Sequence, residues 1–345
     1  MSYLRIILLP FSAIYSFIIF IRNKLYDRGM LRSHKVGKPV ISIGNITTGG
    51  TGKTPVTIFA AEYFLQRGKR VGIISRGYKR TTNDTVMVYD GVKILADTES
   101  AGDELILITN RLLKEYAGRF FVAADTDRIR AAEIIIKKFD PDLIILDDAF
   151  QNRRIKRDLD IVIIDAKDYN ENRLQNIFTL PGGNLRESLS NLNRADVIIQ
   201  NNKSTDHNTI LFAVSKNIPI VTIRYKTEYF MDNKNSILKH QNKTAIVFSG
   251  LANEGSFIEL IGQSGITIGE KVKFVDHHDY SEKDIKFLTD KYSDGKIFIT
   301  TEKDFVKLNK YSDFINKYPV YYLKIKIEIT KNENAMYDKL NRIAG

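Results

Sequence analysis

A glycine-rich run at residues 49–54 has the residue types that bind nucleotide phosphates. It reads Gly-Gly-Thr-Gly-Lys-Thr, follows an apolar run at 39–44 and precedes a helical pattern over 56–64. In such a strand–loop–helix unit, backbone N–H groups and the helix N-terminus face the phosphates, and Lys53 reaches the β- and γ-phosphates. A strict version of the motif has glycine where this chain has Thr47. The strand and helix on either side favour a phosphate loop over a glycine-rich turn before an ordinary helix.

Two acidic side chains, Asp147 and Asp148, end an apolar strand pattern that reads Leu-Ile-Ile-Leu over 143–146. An acid at this position, on a strand beside a phosphate loop, reaches Mg²⁺ directly or through water. Gln151 follows closely and either completes the metal or substrate shell or belongs to a polar turn. The pattern predicts a metal role for one of the two acids and leaves open which of them contacts the ion.

A second acidic pair, Asp103 and Glu104, opens a helical stretch. Acids in the first turn of a helix offset its dipole, so these residues taken alone favour a helix cap. A chemical role for them needs support from elsewhere in the chain.

Adjacent histidines, His277 and His278, follow a strand pattern in the C-terminal part of the chain. Neighbouring side chains of an extended segment point to opposite faces, so at most one of the two faces a shared cleft. A histidine near a carboxylate can orient a general base, which is the chemistry needed to activate a sugar hydroxyl.

Four further candidates lie after or between strand patterns, and two of them are cations. They are Tyr78, Arg128, Arg186 and Glu187. Cations at strand ends can clamp phosphates, although surface arginines commonly have no specific role.

Composition limits the classes of function. The chain has 345 residues, no cysteine and five histidines, which excludes disulfides and thiolate metal sites and argues against structural zinc. Its formal net charge of +11 predicts an anionic partner. Because the sequence shows no basic stripe or reading motif for nucleic acid, an anionic membrane surface or a phosphorylated substrate fits better. No obligate protein partner is evident.

The N-terminal segment favours contact with lipid. Residues 6–21 carry no charge, and Arg5 and Arg22 flank them. A spanning helix needs about 20 apolar residues, so the segment is short, and the sequence after it lacks a signal-peptide cleavage site. The pattern favours a helix in the membrane interface with phenylalanines buried in lipid. A spanning or half-inserted helix, and a helix in the protein's own core, are the alternatives.

Short strand patterns alternate with helical patterns after the phosphate loop. The strand patterns lie at 71–75, 119–123, 143–146, 161–164, 197–200 and 219–223, and the clearest helical patterns at 103–116 and 128–139. This alternation predicts an α/β fold with a mostly parallel sheet covered on both faces, similar to P-loop NTPases.

A second, smaller α/β set begins near residue 243, with strand patterns at 245–249, 272–274 and 296–300. Alternating segments at 225–230 and 321–329 flank it and can pair as a two-stranded connector. The predicted organisation is an N-terminal membrane-interface helix at 1–30, a P-loop domain at 31–224, a linker at 225–242, a smaller α/β domain at 243–318, and a return strand with a C-terminal helix at 319–345.

Taken in order, several segments resemble the tetraacyldisaccharide 4′-kinase family, the lipid A disaccharide kinases of Gram-negative bacteria. The matching segments lie at 44–55, 75–78, 102–104, 146–153, 157–160, 185–187, 248–253, 276–278 and 301–304. The chain departs from the family pattern at Ala149, at Asn152, where histidine is usual, and at Ser188, where proline is usual. Asn152 puts in doubt any contact that needs an imidazole at that position.

The resemblance implies Mg²⁺-dependent transfer of the ATP γ-phosphoryl group to the 4′-hydroxyl of a lipid-linked disaccharide 1-phosphate. It implies a two-domain enzyme on the cytoplasmic face of the bacterial inner membrane, with its site in the cleft between domains. Asp103 would be the general base, assisted by His277. The implied phosphate-binding residues are Thr48, Gly49, Gly50, Thr51, Gly52, Lys53 and Thr54. The implied magnesium candidates are Thr54, Glu104, Asp147, Asp148 and Gln151, and the implied substrate or transition-state contacts are Tyr78, Arg128, Arg186 and Glu187.

The loop also resembles that of a second class of protein. Residues 47–54 are similar to the deviant phosphate loop of membrane-associated positioning ATPases, which are nucleotide switches. That group has a signature lysine where this chain has Thr48, and its amphipathic helix is usually C-terminal. Lipid-independent ATP hydrolysis or nucleotide-driven dimerisation would favour this alternative.

Overall fold

The computed structural model describes residues 3–77, 84–208, 210, 217–239 and 243–344. The chain forms two compact units. The first comprises Met1–Asn202, His207–Ile223 and Ile329–Gly345, and the second comprises Lys203–Asp206 and Arg224–Glu328.

The elements follow one another in an alternating α/β order. The strands are β1 (Val40–Asn45), β2 (Val71–Ser75), β3 (Val86–Tyr89), β4 (Phe120–Ala124), β5 (Leu143–Asp147), β6 (Leu159–Asp165), β7 (Val197–Asn201), β8 (Ile220–Met231), β9 (Thr244–Ser249), β10 (Thr267–Lys273), β11 (Lys296–Thr301) and β12 (Val320–Lys331). The helices are α1 (Tyr3–Ile7), α2 (Leu9–Asp27), α3 (Lys53–Gln66), α4 (Thr98–Ala101), α5 (Asp103–Tyr116), α6 (Arg128–Phe139), α7 (Ala166–Glu171), α8 (Gly255–Gln263), α9 (Glu282–Asp290), α10 (Glu302–Leu308), α11 (Ser312–Lys317) and α12 (Glu333–Ala344), with a 3₁₀ helix at Leu189–Arg194.

The sheet of the first unit has the strand order β8-β7-β6-β1-β5-β2-β4-β3. The neighbouring strands in it pair in parallel, except that β3 is antiparallel to β4. The central strands are buried along their whole length, which explains their near-continuous runs of Ile, Leu and Val. Ile43 of β1 lies opposite Asp147 of β5 and Ile161 of β6, so the carboxyl ends of these strands share one edge. Ligand sites of open α/β sheets lie at this edge.

In the second unit the strand order is β10-β9-β11-β12-β8. The pairs of β9 with β10, β9 with β11, and β11 with β12 are parallel. The predicted pairing of residues 225–230 with 321–329 is seen, because β8 and β12 are neighbours in the sheet. Two apolar clusters cover the strands, one around Phe230 and Ile261 and the other around Phe248 and Phe298.

Several predicted elements agree with the structure in type and extent. Helices predicted at 103–116 and 128–139 are α5 and α6, and the strand predicted at 71–75 is β2. The strand predicted at 272–274 was too short, because β10 begins at Thr267 and most of its residues are exposed or half-buried. The sequence analysis also missed the four-residue strand β3, which pairs antiparallel to β4.

Helix α2 has an unusual distribution of polar and apolar residues. Its fully buried side chains are the polar Ser12 and Asn23. Six large apolar side chains are exposed on it: Phe11, Ile14, Phe17, Ile18, Phe20 and Ile21. The helix therefore does not lie in the core of the protein. Within the described part of the chain, no helix has the length and apolar character needed to cross a membrane.

Candidate functional site

The glycine-rich loop joins the end of β1 to the start of α3 in the first unit. Gly49 and Gly52 have φ angles of +100° and +93°, in the left-handed region that favours glycine. Gly52 is the N-cap residue of α3, which begins at Lys53. The loop therefore turns directly into a helix N-terminus, and the first N–H groups of a helix, which have no acceptor within the helix, commonly bind anions.

Two asparagines brace the loop from inside the protein. The side-chain amide of Asn45 donates to the Thr51 hydroxyl at 3.0 Å, and that of Asn201, the last residue of β7, donates to the Thr51 carbonyl at 2.9 Å. Thr51 is buried, whereas Thr48, Gly49 and Gly50 are exposed. The loop is thus anchored at Thr51 and open to solvent at its tip.

Asp147, the last residue of β5, is fully buried and bonded to its neighbours. One carboxylate oxygen accepts a hydrogen bond from Thr57 at 2.9 Å, and the other accepts one from Ser75 at 3.2 Å. Burial, followed by the adjacent charge of Asp148, raises the pKa of Asp147 above its ordinary value. These contacts join β5 to α3 and β2 beneath the loop.

Asp148 differs sharply from its neighbour. Its side chain is 26% exposed and its φ is +48°, which turns it away from the strand. Arg186 Nη1 lies 2.8 and 3.1 Å from its two oxygens, and Lys53 Nζ lies 3.7 Å from one of them. Burial acts to raise the pKa of Asp148, but the charges of Lys53 and Arg186 outweigh it and the pKa lies below its ordinary value. We refer to Lys53, Asp148 and Arg186 as the charge cluster.

The charge cluster is connected to the loop through the backbone as well. The Arg186 N–H donates to the Ile46 carbonyl at 2.7 Å, and the Thr48 N–H donates to the Asn184 carbonyl at 2.8 Å. The segment carrying Arg186 therefore pairs with the chain that enters the loop. Gln151, a predicted metal candidate, donates its side-chain amide to the Asn45 carbonyl at 2.8 Å.

Arg128 is buried at the start of α6. Its guanidinium donates to the carbonyls of Asp125 and Asp147, the latter at 3.4 Å. Burial, followed by the nearby Arg76 cation, lowers the pKa of Arg128 to about 10, so it remains charged at neutral pH. Its Nε has no hydrogen-bond partner among the described residues. Arg128 thus brings a buried cation to the same strand edge.

The remaining predicted residues of the first unit are placed differently. Asp103 is buried and Glu104 is half-buried in the first turn of α5. The Glu187 carboxylate is fully buried next to α2, where it accepts hydrogen bonds from Asn23 at 2.9 Å and from Arg194 at 2.7 Å. Tyr78 lies outside the described residues. No group of three or more acidic or histidine side chains suited to a metal ion occurs within the described ranges.

In the second unit, the two adjacent histidines have different surroundings. His278 Nε2 lies 3.1 Å from the Asp284 carboxylate, and its ring stacks on Phe274 with centroids 4.7 Å apart. His277 has a φ of +55°, and its Nε2 lies 3.0 Å from Lys303 Nζ. The two rings therefore have separate partners. The segment is a turn at His277 and not the extended segment that the sequence pattern assumes.

The sequence analysis did not propose Asn45, Asn184 or Asn201 as residues that support the loop. A signal was present for two of them, because Asn45 and Asn201 each end an apolar strand at the edge where the loop lies. Asn184 gave no comparable signal, since it contributes a backbone carbonyl from an irregular segment.

A mostly parallel sheet, a glycine-rich loop that opens a helix and a charge cluster at the strand ends define a mixed α/β protein of the class that includes nucleotide-binding kinases. The family model for tetraacyldisaccharide-1-P 4′-kinase matches residues 4–344, and the chain belongs to this family.

Individual relatives agree with this assignment. Tetraacyldisaccharide 4′-kinase of Aquifex aeolicus is 36% identical over 337 residues, covering 96% of each chain. The enzyme of the same name from Chlorobium limicola is 36% identical over 351 residues, covering 98% of this chain and 97% of the relative. A crystal structure of LpxK from Aquifex aeolicus in complex with ATP superposes with a TM-score of 0.79 and 32% identity, over 99% of this chain and 100% of that one. The resemblance inferred from the sequence motifs is confirmed.

Proposed function

We propose that this chain transfers the γ-phosphoryl group of ATP to the 4′-hydroxyl of a tetraacyl glucosamine disaccharide 1-phosphate, a step of lipid A biosynthesis. The observation that carries the proposal is the family match, which spans residues 4–344 and therefore both compact units. We also propose a membrane-interface helix at 1–30, a P-loop kinase domain at 31–224, a linker at 225–242, a smaller α/β domain at 243–318, and a return strand with a C-terminal helix at 319–345.

The loop and the charge cluster would bind the ATP phosphates. The exposed tip, Thr48 to Gly50, and the N–H groups at the start of α3 would face the phosphate oxygens, with Lys53 at the β- and γ-phosphates. Phosphoryl transfer develops charge on the transferring group, and fixed cations stabilise it. We assign the stabilisation of this charge to Arg186, the cation beside Asp148, and to the buried cation of Arg128.

The donor set at the strand edge fits Mg²⁺. This ion is usually held by one or two carboxylates together with substrate phosphates rather than by an all-protein cage, and it neutralises charge on the β- and γ-phosphates. We assign the direct contact to Asp148, because its side chain is partly exposed and its pKa is lowered, whereas Asp147 is fully buried and its pKa is raised. Thr54 is the proposed hydroxyl ligand, and Glu104 and Gln151 are further candidates.

Asp103 is the proposed general base. It would accept the proton of the 4′-hydroxyl, and His277 from the second unit would assist it. A buried position in the first turn of a helix supports this role, since a base must be positioned before it can act. The predicted substrate contacts of Tyr78 and Glu187 stay predictions. The Glu187 carboxylate is buried, and its Oε2 already accepts bonds from Asn23 and Arg194.

We further propose that α2 lies in the interface of an anionic membrane, on the cytoplasmic face of the bacterial inner membrane. Its polar residues face the protein: Ser16 bonds to Thr179 at 2.7 Å, and Tyr15 donates to the Arg186 carbonyl at 3.0 Å. Its apolar residues face outward. This distribution is the reverse of a water-facing helix and is expected where lipid covers the outer face.

A second exposed apolar patch supports the same orientation. Leu174, Ile177 and Phe178 are exposed, and they directly precede Thr179, which bonds to α2. We propose that this patch enters the interface together with α2. The substrate's acyl chains could then stay in the bilayer while its sugar reaches the strand edge.

The test is acceptor-dependent consumption of ATP. Purified protein, Mg²⁺ and ATP are incubated with and without detergent-dispersed tetraacyl disaccharide 1-phosphate, and ADP is measured. The proposal predicts ADP formation only with the lipid, and loss of that activity in Lys53→Met. Equal ADP formation without lipid would support a nucleotide switch instead.

A further inference from the structure

The segment Thr301 to Asp304 was singled out by the sequence motifs but has no assigned role. It joins the end of β11 to the start of α10 in the second unit. The Thr301 hydroxyl accepts the Asp304 N–H at 3.0 Å, and the buried Asp304 carboxylate accepts the Thr301 hydroxyl at 2.7 Å and the Gly250 N–H at 3.0 Å. The start of α10 is thus fixed to the ends of two neighbouring strands.

The loop that carries His277 is fixed to the same place. The His277 N–H donates to the Gly250 carbonyl at 3.2 Å. A Cβ at Gly250 would lie 3.0 Å from the Asp304 carboxylate, 3.2 Å from the Val275 carbonyl and 3.3 Å from His278 Cβ, so a side chain there would crowd all three groups. His277 itself adopts a φ of +55°. A left-handed conformation at a residue other than glycine is held by its surroundings, and such residues cluster at functional sites.

Lys303 contacts the ring that this loop presents. Its Nζ lies 3.0 Å from His277 Nε2. An ammonium group has only donors, so Nε2 must be the acceptor. A protonated imidazole has no acceptor nitrogen, so this contact fits a neutral ring with its proton on Nδ1.

We propose that Lys303 is a positioning residue that holds His277 as the neutral Nδ1–H tautomer. The inference rests on the proposed function for its catalytic meaning. There, the Nδ1–H tautomer makes Nδ1 the donating nitrogen of the ring, which is the form that can orient a carboxylate base. The neighbouring ring of His278 cannot take this task over, because it is stacked on Phe274 and bonded to Asp284.

The tautomer can be read directly by NMR of the full-length protein labelled with ¹⁵N-histidine. The chain has five histidines, and His277→Gln assigns the signal. In mildly alkaline buffer we expect wild-type His277 to show a protonated Nδ1 and an unprotonated Nε2. Lys303→Met should shift the ring to the Nε2–H form, and Lys303→Arg, which keeps a cationic donor, should retain the Nδ1–H form.

Kinetics give a second reading of the same variants. Lys303→Met should lower kcat about 10- to 100-fold, because a misoriented base loses part of the general-base contribution, while KM for ATP stays within about twofold. The matched control is Lys307→Met, which lies one turn later on α10 and donates to the His278 carbonyl at 3.0 Å rather than to a ring nitrogen. It should leave the His277 tautomer unchanged.

Three results would overturn the proposal: a wild-type His277 signal of the Nε2–H form, an unchanged tautomer in Lys303→Met, or the same tautomer shift in Lys307→Met. A wild-type protein that shows the Nδ1–H form but phosphorylates no lipid would refute the proposed function alone. The contact assigned to Lys303 and His277 would then still be supported.

Discussion

Replacing Phe17 by alanine tests the orientation proposed for α2. Phe17 lies near the middle of the helix and is 62% exposed. In the proposed orientation this exposed surface is covered by lipid, so its removal should weaken membrane binding. Folding should be little affected, because surface substitutions usually change the free energy of unfolding by less than about 0.5 kcal/mol.

The expected size of the effect follows from the exposed area. A phenylalanine presents roughly 200 Å² of surface, so the exposed part beyond that of alanine is about 100 Å². At about 25 cal/mol per Å² of apolar surface, its loss costs about 2.5 kcal/mol of membrane binding. This corresponds to a roughly 60-fold smaller partition constant, since 1.4 kcal/mol is about tenfold.

The assay is flotation of the full-length protein with vesicles that contain anionic lipid. Val92→Ala is the matched control. Val92 is an apolar residue that is 85% exposed, but it lies away from α2 in the sequence, in the turn after the edge strand β3. It should partition like the wild type. A change of less than about threefold for Phe17→Ala, or an equal loss for Val92→Ala, would refute the reasoning about α2.

Four further predictions concern the site. Asp103→Ala should lower turnover about 100-fold or more while nucleotide binding persists, and steady-state kinetics with near-normal turnover would remove Asp103 from the base role. His277→Ala should reduce kcat more than His278→Ala, and the reverse ranking would mean that the catalytic role is assigned to the wrong histidine. His278→Ala should cost about 1–2 kcal/mol of unfolding free energy in a denaturant titration, because the Asp284 carboxylate loses its partner. Asp148→Asn should raise the Mg²⁺ concentration needed for half-maximal activity and lower kcat, and an unchanged Mg²⁺ titration would contradict a direct contact. Asn201→Ala removes a buried donor to the loop and should cost about 1–3 kcal/mol of unfolding free energy. It should also raise the KM for ATP, and an unchanged KM would mean that the bond does not shape the loop.

The parts of the fold that could be predicted from the sequence are those fixed by local signals. Helix α6 begins after Asp127, whose side chain accepts the N–H groups of Ile129 and Arg130, and its apolar spacing continues to Phe139. The start of α3 is set by Gly52. Short edge strands such as β3 carry no such signal, because four residues, two half-buried and two buried, do not make a clear period.

The candidate site was predictable in its residue types but not in their division of tasks. Asp147 and Asp148 are adjacent and equivalent in the sequence. Their difference comes from Thr57 and Ser75, which reach Asp147 from α3 and β2, and from Arg186, which reaches Asp148 from a later segment. Such contacts depend on how distant segments pack, which a pattern along one segment does not contain.

The same limit applies to Glu187. Its position next to Arg186 suggested a substrate contact, and no local pattern indicated that Asn23 of α2 would donate to its carboxylate. The polar residues of α2 carry no local signal of burial in the sequence. In the folded chain they are the residues that attach the helix to the first unit.

Mass spectrometry of the lipid tests the central claim most directly. Detergent-dispersed tetraacyl disaccharide 1-phosphate is incubated with the purified protein, Mg²⁺ and ATP, and the lipid is then fragmented to locate any added group. The account predicts a gain of one phosphoryl group at the 4′ position, absent in Lys53→Met. An unchanged lipid from a protein that still binds ATP, or a phosphoryl group at another position, would contradict it.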